Sequence, residues 1–368
     1  MRLAFVYLPG RRERVAQLAT GEVPSEFFYG ATELAAAGHT VEHFEIPAAP
    51  SSPVLAGALD LLRRGCLTPP KVSGSAVVNA WALCPTLNTF DCVIATVGQH
   101  GFALAGCALF GRLQAPIVAI QCGLLHHPYS ALRRGVTRAL LNRMESVLFG
   151  EAEYQPMLAR LAPEPTRLAV NQFGVDVEFW KPNGPREEYV LAIGNDPRRD
   201  YATLLAAAPK IAAPIRIVTQ LTLPEPLPPN VTVLRGSWHN RSLSDADIRQ
   251  LYQRAACVVV PLRDTLQPSG QSVTLQAMAC GAPVVLTQTG GLWNAAALSE
   301  SKAIKLIPPS NPTALASAVS AVLEDPERAA ATGEAGRAHT FAHGNIRDFA
   351  AGIEKACIRA IDRSRAAS

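Results

Sequence analysis

The stretch QPSGQSVTLQAMACGAPVVLTQTGGL, residues 267–292, contains a glycine-bearing loop, one predicted helix, one predicted strand and a second glycine turn. Pro268 and Gly270 interrupt the chain just before good helix formers, so we expect a helix to begin there with unsatisfied backbone N–H groups. Gly281 predicts the end of this helix, because Pro283 prevents its continuation and apolar residues then predict a buried strand. Such a helix start binds anions, and open α/β sheets bind ligands at the carboxyl ends of their strands. The stretch therefore predicts an anion-binding site in an α/β domain.

Strand and helix signals alternate along the whole chain. In the first half, strands are predicted near residues 3–8, 41–46, 91–97, 116–121 and 146–149, with helices at 27–37, 102–113, 131–143 and 151–161. Ser25 is available to cap the first of these helices and Gly38 to end it. Gly, Pro and Asn then cluster at residues 171–185, and a second series of strands is predicted near 189–193, 215–218, 231–234, 257–260, 284–286 and 303–307. This alternation is typical of parallel doubly wound sheets, two of which in tandem leave a cleft.

Composition narrows the class of protein. At 368 residues the chain is long enough for two domains, and charged residues make up 17% with a net charge of +4, so a dedicated nucleic-acid binder is excluded. The apolar start is followed by Arg11 and Arg12, which favours a first strand over a signal peptide. No apolar run is long enough to span a bilayer, and eight cysteines without a C-x-x-C pair suit reduced thiols. We therefore expect a cytoplasmic protein with no disulfide frame or zinc site.

Three motifs resemble retaining GT-B glycosyltransferases of family four. QAMACGAPVV with Gly290–Gly291 is similar to that family's nucleotide-sugar loop, FGVDVEFWKP (173–182) to its hinge, and YVLAIGNDPRRDYATLL (189–205) to the segment that holds the donor diphosphate. The resemblance implies the GT-B fold: two Rossmann-like doubly wound parallel sheets facing a cleft, with a C-terminal helix crossing back to the first domain. The predicted bounds are 1–174 for the acceptor-side domain, 175–344 for the nucleotide-sugar domain and 345–368 for the final helix, which is amphipathic in sequence.

The function that the resemblance implies is transfer of a sugar from a UDP- or GDP-sugar to an acceptor hydroxyl. Retention at the anomeric carbon is implied, with no metal and no cofactor besides the nucleotide sugar as co-substrate. The acceptor is expected to be a small molecule, a glycan or a lipid-linked group. Pro268 and Gln276 stand where the family's E-x7-E motif has glutamates. Two alternatives therefore stay open: a GT-B sugar-nucleotide epimerase or hydrolase, and a non-catalytic sugar-nucleotide-binding partner subunit.

The donor-site prediction centres on a basic residue. Alignment places Arg199 where the family has a diphosphate-binding lysine, with Arg198 as the neighbouring candidate, although a solvated turn with local ion pairs is the alternative. A cation suits two phosphates because charge-assisted hydrogen bonds are strong. An amide at Gln276 can both accept from and donate to ribose hydroxyls. Arg199 is predicted to be catalytic, and the predicted donor-binding residues are Gly194, Asn195, Arg198, Gly236, Trp238, Ser269, Gly270, Gln271, Ser272 and Gln276.

Histidines supply the remaining catalytic candidates. His100 and His126 follow predicted strands of the first half, so both are expected at the edge where ligands bind, with His127 beside them. A lone histidine is more often structural, and the choice among the three stays open.

Two further patterns are assigned to ordinary structure. Asp245 and Asp247 form a D-x-D, which some glycosyltransferases use to bind a metal, but Ser244 predicts a helix cap with acidic residues in the first turn. Arginines interleaved with leucines at residues 131–143 would suit weak contact with an anionic membrane surface, and a solvent-exposed helix face is the favoured interpretation.

Overall fold

The computed structural model describes residues 1–64, 68–70, 72–236 and 242–367, which form two compact units. Unit 1 consists of Met1–Ala16, Phe27–Gln172 and the chain from Phe349 onward. Unit 2 consists of Gln17–Glu26 and Phe173–Asp348. The chain thus leaves unit 1 near its start, contributes a short segment to unit 2, and returns.

Unit 1 is built on a sheet in the order β2-β1-β3-β4-β5-β6, in which every neighbouring pair is parallel. Its central strands are fully buried, as expected for a sheet covered on both faces. The strands are β1 Arg2–Tyr7, β2 Thr40–Glu45, β3 Cys92–Ala95, β4 Ile117–Gln121, β5 Glu145–Leu148 and β6 Leu168–Val170. The helices in this part of the chain are α1 Val15–Ala19, α2 Ala31–Ala36, α3 Pro53–Arg64, α4 Gly74–Leu87, α5 Gly98–Leu109, α6 Ala131–Leu141 and α7 Tyr154–Leu161.

Unit 2 contains a second parallel sheet in the order β12-β11-β10-β7-β8-β9. The strands are β7 Glu187–Ile193, β8 Ile215–Val218, β9 Val231–Leu234, β10 Ala255–Val260, β11 Val284–Thr287 and β12 Ile304–Ile307. The helices are α8 Tyr201–Ala207, α9 Asp245–Arg254, α10 Gln271–Ala279, α11 Ala295–Glu300, α12 Pro312–Glu324 and α13 Pro326–His343. The last helix, α14 Ile346–Ala367, belongs to unit 1 from Phe349 onward.

The order of the second sheet determines where a ligand fits. The chain enters at β7, builds β8 and β9 on one side, and then crosses to β10, β11 and β12 on the other. The connections after β7 and β10 therefore diverge, which opens a crevice at the carboxyl ends of these two adjacent strands. The two predicted doubly wound parallel sheets are confirmed, and this crevice is the place in unit 2 to look for a site.

The predicted helix at residues 27–37 is wrong at its start. Ser25–Phe28 form a 3₁₀ turn, Gly30 has a φ of +86°, and α2 begins only at Ala31. A Cβ at Gly30 would lie 2.9 Å from the Cα of Ala350 in α14, so the close approach of that helix requires a glycine. The end of α2 was predicted correctly, since Gly38 follows it with a φ of +92°.

No helix in the described ranges is long and apolar enough to cross a membrane.

Candidate functional site

The helix α10 begins at the carboxyl end of β10, where the sequence predicted an anion site. Gly270 precedes it with a φ of +79°, and no side chain caps the helix start. The first N–H groups of the helix can therefore serve a ligand, and the helix dipole favours a negative one. The predicted helix end is confirmed as well: Gly281 has a φ of +71° and its N–H donates to the carbonyl of Met278 at 2.8 Å.

Arg199 lies at the crevice between β7 and β10. Its backbone forms a β-bridge with Leu262, two residues after the end of β10, and Arg199 is only 5% exposed. A Cβ at Gly194 would collide with the guanidinium, and one at Gly270 would lie 3.0 Å from Nη1. The arginine side chain is thus held between two glycines and against the start of α10. Among the described residues, neither Nε nor Nη1 of Arg199 has a hydrogen-bond partner.

Several further polar atoms around the start of α10 are buried without a hydrogen-bond partner in the described part of the chain. They are Ser269 Oγ, Gln271 Nε2 and Thr274 Oγ1. Buried polar groups are normally paired, so these donors, together with Nε and Nη1 of Arg199, indicate a binding site. The donors, the cation and the helix start all suit oxygen atoms that carry negative charge. Sequence analysis missed Thr274, which lies one helical turn after Gly270.

Asn195 and Gly236 take part in hydrogen bonds that connect the ends of three strands. The Asn195 carboxamide accepts a hydrogen bond from the hydroxyl of Thr219 at 3.2 Å and donates one to the carbonyl of Gly236 at 3.3 Å. It thereby joins the loops that follow β7, β8 and β9. The predicted stacking residue Trp238 lies outside the described residues. The donor-binding role of all three stays a prediction.

The two remaining polar candidates lie near the same helix start. Arg198 is half-buried. Its backbone N–H donates to the carboxylate of Asp196, and its carbonyl accepts from the N–H of Arg263. Ser272 is half-buried in the first turn of α10. Of the two adjacent arginines, Arg199 therefore reaches the helix start.

Gln276 is buried in a polar network within unit 2. Its Nε2 donates to Glu26 Oε1 at 3.0 Å, and its Oε1 accepts from the hydroxyl of Tyr252 at 3.4 Å. Glu26 also accepts from Trp180 Nε1 at 2.7 Å and from the backbone N–H of Asp176 at 3.1 Å. Both polar atoms of the Gln276 amide are therefore engaged by protein, and its predicted contact with ribose stays a prediction.

Glu26 is fully buried and has no basic partner among these contacts. Burial raises its pKa from 4.5 to about 7, although the hydrogen bonds from Gln276, Trp180 and Asp176 favour the ionised form. Sequence reasoning missed this residue because it lies 250 positions from Gln276 and no local motif marks it. Only the docking of Gln17–Glu26 with unit 2 reveals it.

The histidine candidates lie in unit 1. His100 is in the first turn of α5 after β3, is 1% exposed, and has no partner at Nδ1 among the described residues. Burial lowers its pKa to about 4, so the ring is neutral near pH 7. His126 is half-buried at the end of a 3₁₀ turn after β4, with His127 next to it. Because β3 and β4 are adjacent, these histidines share one edge of the sheet, and their catalytic role stays a prediction.

Glu153 holds the loop that carries His126. Its Oε1 accepts a hydrogen bond from the backbone N–H of Gly123 at 3.2 Å, where the chain turns after β4. Burial raises the pKa of Glu153 from 4.5 to about 7, with the Gly123 hydrogen bond opposing the rise.

The D-x-D pattern is a helix cap, as predicted. Ser244 and Asp247 form a reciprocal capping box at the start of α9: the Asp247 N–H donates to Ser244 Oγ at 3.1 Å, and the Ser244 N–H donates to Asp247 Oδ2 at 2.8 Å. Within the described ranges, no group of three or more His, Cys, Asp or Glu residues is placed to hold a metal ion.

One family model matches part of the chain. Residues 187–325, which contain Arg199 and α10, match the family model described as glycosyl transferases group 1. No curated protein matches the chain significantly by sequence. Among solved structures, the chain is similar to sucrose-phosphate synthase from Thermosynechococcus elongatus, with 19% identity, 100% coverage of both chains and a TM-score of 0.70.

Two further solved structures have the same fold. HepE from Anabaena, in complex with UDP-glucose, has 17% identity over 96% of this chain and 98% of its own, with a TM-score of 0.67. A glycosyltransferase from Rickettsia africae has 12% identity over 98% of each chain, with a TM-score of 0.68. At these identities the likeness establishes the fold, and the family match supplies the class of activity. The chain thus has the GT-B fold, its second unit carries a domain of the glycosyl transferases group 1 family, and the protein is an enzyme of the glycosyltransferase type.

Proposed function

We propose that the enzyme transfers a sugar from a nucleotide diphosphate sugar, UDP- or GDP-linked, to the hydroxyl of a glycan, a small molecule or a lipid-linked acceptor. The transfer retains the anomeric configuration and uses no metal ion. The observation that carries the proposal is the buried guanidinium of Arg199, unpaired at Nε and Nη1 among the described residues, beside the uncapped start of α10.

A diphosphate satisfies the groups that the protein leaves unpaired. Its oxygens can accept from Arg199 Nε and Nη1, from the hydroxyls of Ser269 and Thr274, and from the first N–H groups of α10. The surrounding residues supply no competing carboxylate in the contacts described for Arg199. A nucleotide sugar brings this diphosphate together with a leaving group and a transferable sugar.

The chemistry follows from where charge develops. As the bond between the anomeric carbon and the phosphate oxygen breaks, negative charge grows on the diphosphate. Arg199 and the helix start then bind the leaving group more strongly than the intact donor, which lowers the barrier. The acceptor hydroxyl forms the new bond to the anomeric carbon and passes its proton to an oxygen of the departing phosphate. No protein nucleophile enters this scheme.

Substitution of Arg199 tests the diphosphate site. Arg199→Met keeps the apolar length of the side chain and removes the charge, so we expect transfer to fall by about 10² to 10³, the usual loss for one preorganised donor. The matched control is Arg198→Met, the adjacent arginine, which should retain most of the activity. The donor is first chosen from a panel of nucleotide sugars by thermal shift, because a bound ligand raises the melting temperature.

Retention, metal independence and transfer to an acceptor are each measured separately. The NMR coupling at the anomeric proton of the product distinguishes retention from inversion, and unchanged turnover in EDTA supports metal independence. Incubation with donor alone separates transfer from hydrolysis or epimerisation. Wild-type activity of the Arg199→Met variant would remove Arg199 from the diphosphate site.

A further inference from the structure

Two histidines lie one helical turn apart at the end of α13. His339 and His343 are four positions apart, a spacing that places their side chains on the same face of the helix. Their ring centroids are 5.0 Å apart, and the ring planes are inclined by 54°. His339 is buried, with 7% of its surface exposed, whereas His343 is exposed. The two imidazoles therefore form a compact pair at the protein surface.

The two rings have few other partners. Among the described residues, each ring contacts the other, and neither takes part in a hydrogen bond or an ion pair. The guanidinium of Arg337 lies over the ring of Phe341 at 5.4 Å from its centroid. Both of those residues are two positions from a histidine and so lie on the opposite side of the helix. The nitrogen lone pairs of the histidine pair are therefore available to a ligand.

The electrostatics of the pair favour neutral rings. Burial, and after it the positive charge of a protonated His343, hold the pKa of His339 below its ordinary value. Two protonated imidazoles at this separation would repel each other, so a ligand that uses both rings meets at least one in the neutral form. Neutral imidazole is a common metal ligand. The pair thus suits a cation that accepts two lone pairs.

The separation of the rings fits one metal ion. Zinc–nitrogen bonds are about 2.0–2.1 Å long, so two imidazoles on one tetrahedral ion have ring centroids about 5 Å apart. The rings of His339 and His343 already have this separation. Two histidines at positions i and i+4 are also the pair through which a helix binds zinc. Imidazole suits zinc, nickel and copper, whereas magnesium and calcium prefer oxygen ligands.

Packing holds the helix that carries the pair. A Cβ at Gly336 would lie 3.2 Å from Met278 Cγ, and one at Gly344 would lie 2.7 Å from Leu275 Cδ2, so α13 runs directly against α10. The hydroxyl of Thr340 donates to the carbonyl of Gly336 at 3.0 Å. The backbone that presents both histidines is thus fixed before an ion binds, which lowers the entropic cost of binding.

We propose that His339 and His343 bind a divalent transition-metal ion of the zinc, nickel or copper class, with water completing its coordination. The site goes beyond the proposed sugar transfer and does not depend on it. His343 is the last residue of α13, and Asn345 then pairs with Val175 in a parallel β-bridge. Because helix ends fray, an ion that joins the last two turns should keep the end of α13 closed.

A zinc titration followed by NMR of histidine-labelled protein tests the site directly. Ring resonances assigned with His339→Gln and His343→Gln should both shift in the wild-type protein at the same zinc concentration, because one ion binds both rings. Magnesium at the same concentrations should shift neither. His343→Gln changes an exposed position and should weaken zinc binding at His339 by at least about tenfold. Resonances that stay fixed, or that shift at different zinc concentrations, would overturn the proposal.

Two control variants separate the geometry from the number of histidines. Glu334→Gln, an exposed change earlier in α13, should bind zinc as the wild type does. Ala338→His added to His343→Gln restores the number of histidines but places the two rings at adjacent positions, which do not face each other on a helix. This double variant should bind zinc no better than His343→Gln alone. Wild-type affinity in the double variant would mean that the spacing plays no part, which contradicts a shared ion.

Hydrogen exchange measures the consequence for the helix end. The Gly344 N–H donates to the Thr340 carbonyl at 2.9 Å and closes the last turn of α13. At a zinc concentration about ten times the Kd, exchange of this amide should slow by about tenfold, because only the closed turn holds the ion. His343→Gln should show no such slowing. An unchanged exchange rate in the wild type, while the ring resonances show zinc bound, would overturn the closing of the helix end by the ion.

Discussion

Arg199 depends on two residues that have no side chain. Gly194 and Gly270 leave space on either side of its guanidinium, and Gly270 adds a φ of +79° that starts α10 at the correct angle. A buried and unpaired arginine is costly for folding, so a protein retains one where a ligand supplies the missing hydrogen bonds. The position of these glycines therefore belongs to the same functional arrangement as the arginine.

Gly270→Ala should weaken donor binding by more than its effect on stability explains. The new methyl group would lie 2.8 Å from Val260 Cγ1 and 3.0 Å from Arg199 Nη1, so the guanidinium must move. Gly184→Ala is the control, since Gly184 has a similar φ of +74° with nothing within 4 Å of the added carbon. A side chain at such a φ usually costs about 1 kcal/mol of stability, and Gly270→Ala should lose more because its methyl group also meets Val260 Cγ1. Calorimetry with UDP-glucose should show loss of affinity for Gly270→Ala alone, and equal affinities would mean that the glycine serves only the backbone.

At the residue level, sequence reasoning could reach the part of the candidate site that follows a local pattern. Arg199, Gly270 and Gln271 were accessible because a strand, a glycine turn and a helix start occupy neighbouring positions in the chain. Thr274 could have been found from its position four residues after Gly270, because residues with this spacing lie on the same face of a helix. Glu26 could not, since its partner Gln276 is 250 positions away and only tertiary structure joins them.

At the level of elements, the strands were the easiest to predict and the helix starts the hardest. Most of the eleven strand signals quoted from the sequence are short, mainly apolar runs, which are typical of buried parallel strands. The helices α3 and α4 and the short strand β6 were not predicted, and α2 was placed too early because the close contact between Gly30 and Ala350 has no local signal. The sequence pattern therefore predicts the strands of both sheets, while tertiary contacts determine where several helices begin.

The start of α9 provides a test of the metal-free site. Ser244→Ala removes the hydroxyl that caps the Asp247 N–H, so it should cost about 1 kcal/mol of stability. Asp247→Asn weakens the reciprocal hydrogen bond to the Ser244 N–H and should cost less. Neither variant should abolish sugar transfer, and Asp245→Asn should retain it as well. Urea denaturation and nucleotide release measure the two properties, and loss of transfer in both aspartate variants would instead reveal a metal-binding D-x-D.

At the scale of the whole molecule, buried carboxyl groups make the stability of the enzyme depend on pH. The pKa of Glu153 is about 7 in the folded protein and about 4.5 when exposed, so the folded state binds the proton more tightly. The contribution of this group to stability is therefore fully present below about pH 4.5 and is lost as pH rises through about 7. The slope for one group cannot exceed about 1.4 kcal/mol per pH unit.

Glu153→Gln should flatten this dependence. The amide keeps an oxygen for the Gly123 N–H and carries no charge. The stability of the variant relative to wild type should therefore be greater at pH 8 than at pH 5. Glu151→Gln, an exposed change in the same 3₁₀ turn, is the control and should follow wild type at both values. Urea midpoints across the pH range give the comparison, and parallel curves for wild type and Glu153→Gln would contradict a raised pKa.

The path of the chain between the two units has a consequence for biosynthesis. Every residue of unit 2 has been made once Asp348 leaves the ribosome, since its parts are Gln17–Glu26 and Phe173–Asp348. Unit 1 begins at Met1 but includes the chain from Phe349 onward, whose Phe349, Ile353 and Ala356 are buried. While unit 2 is synthesised, the apolar surface of unit 1 that α14 will cover therefore stays exposed to water. The unit that starts first is the one that finishes folding last, and that interval is when a nascent chain has most need of a chaperone.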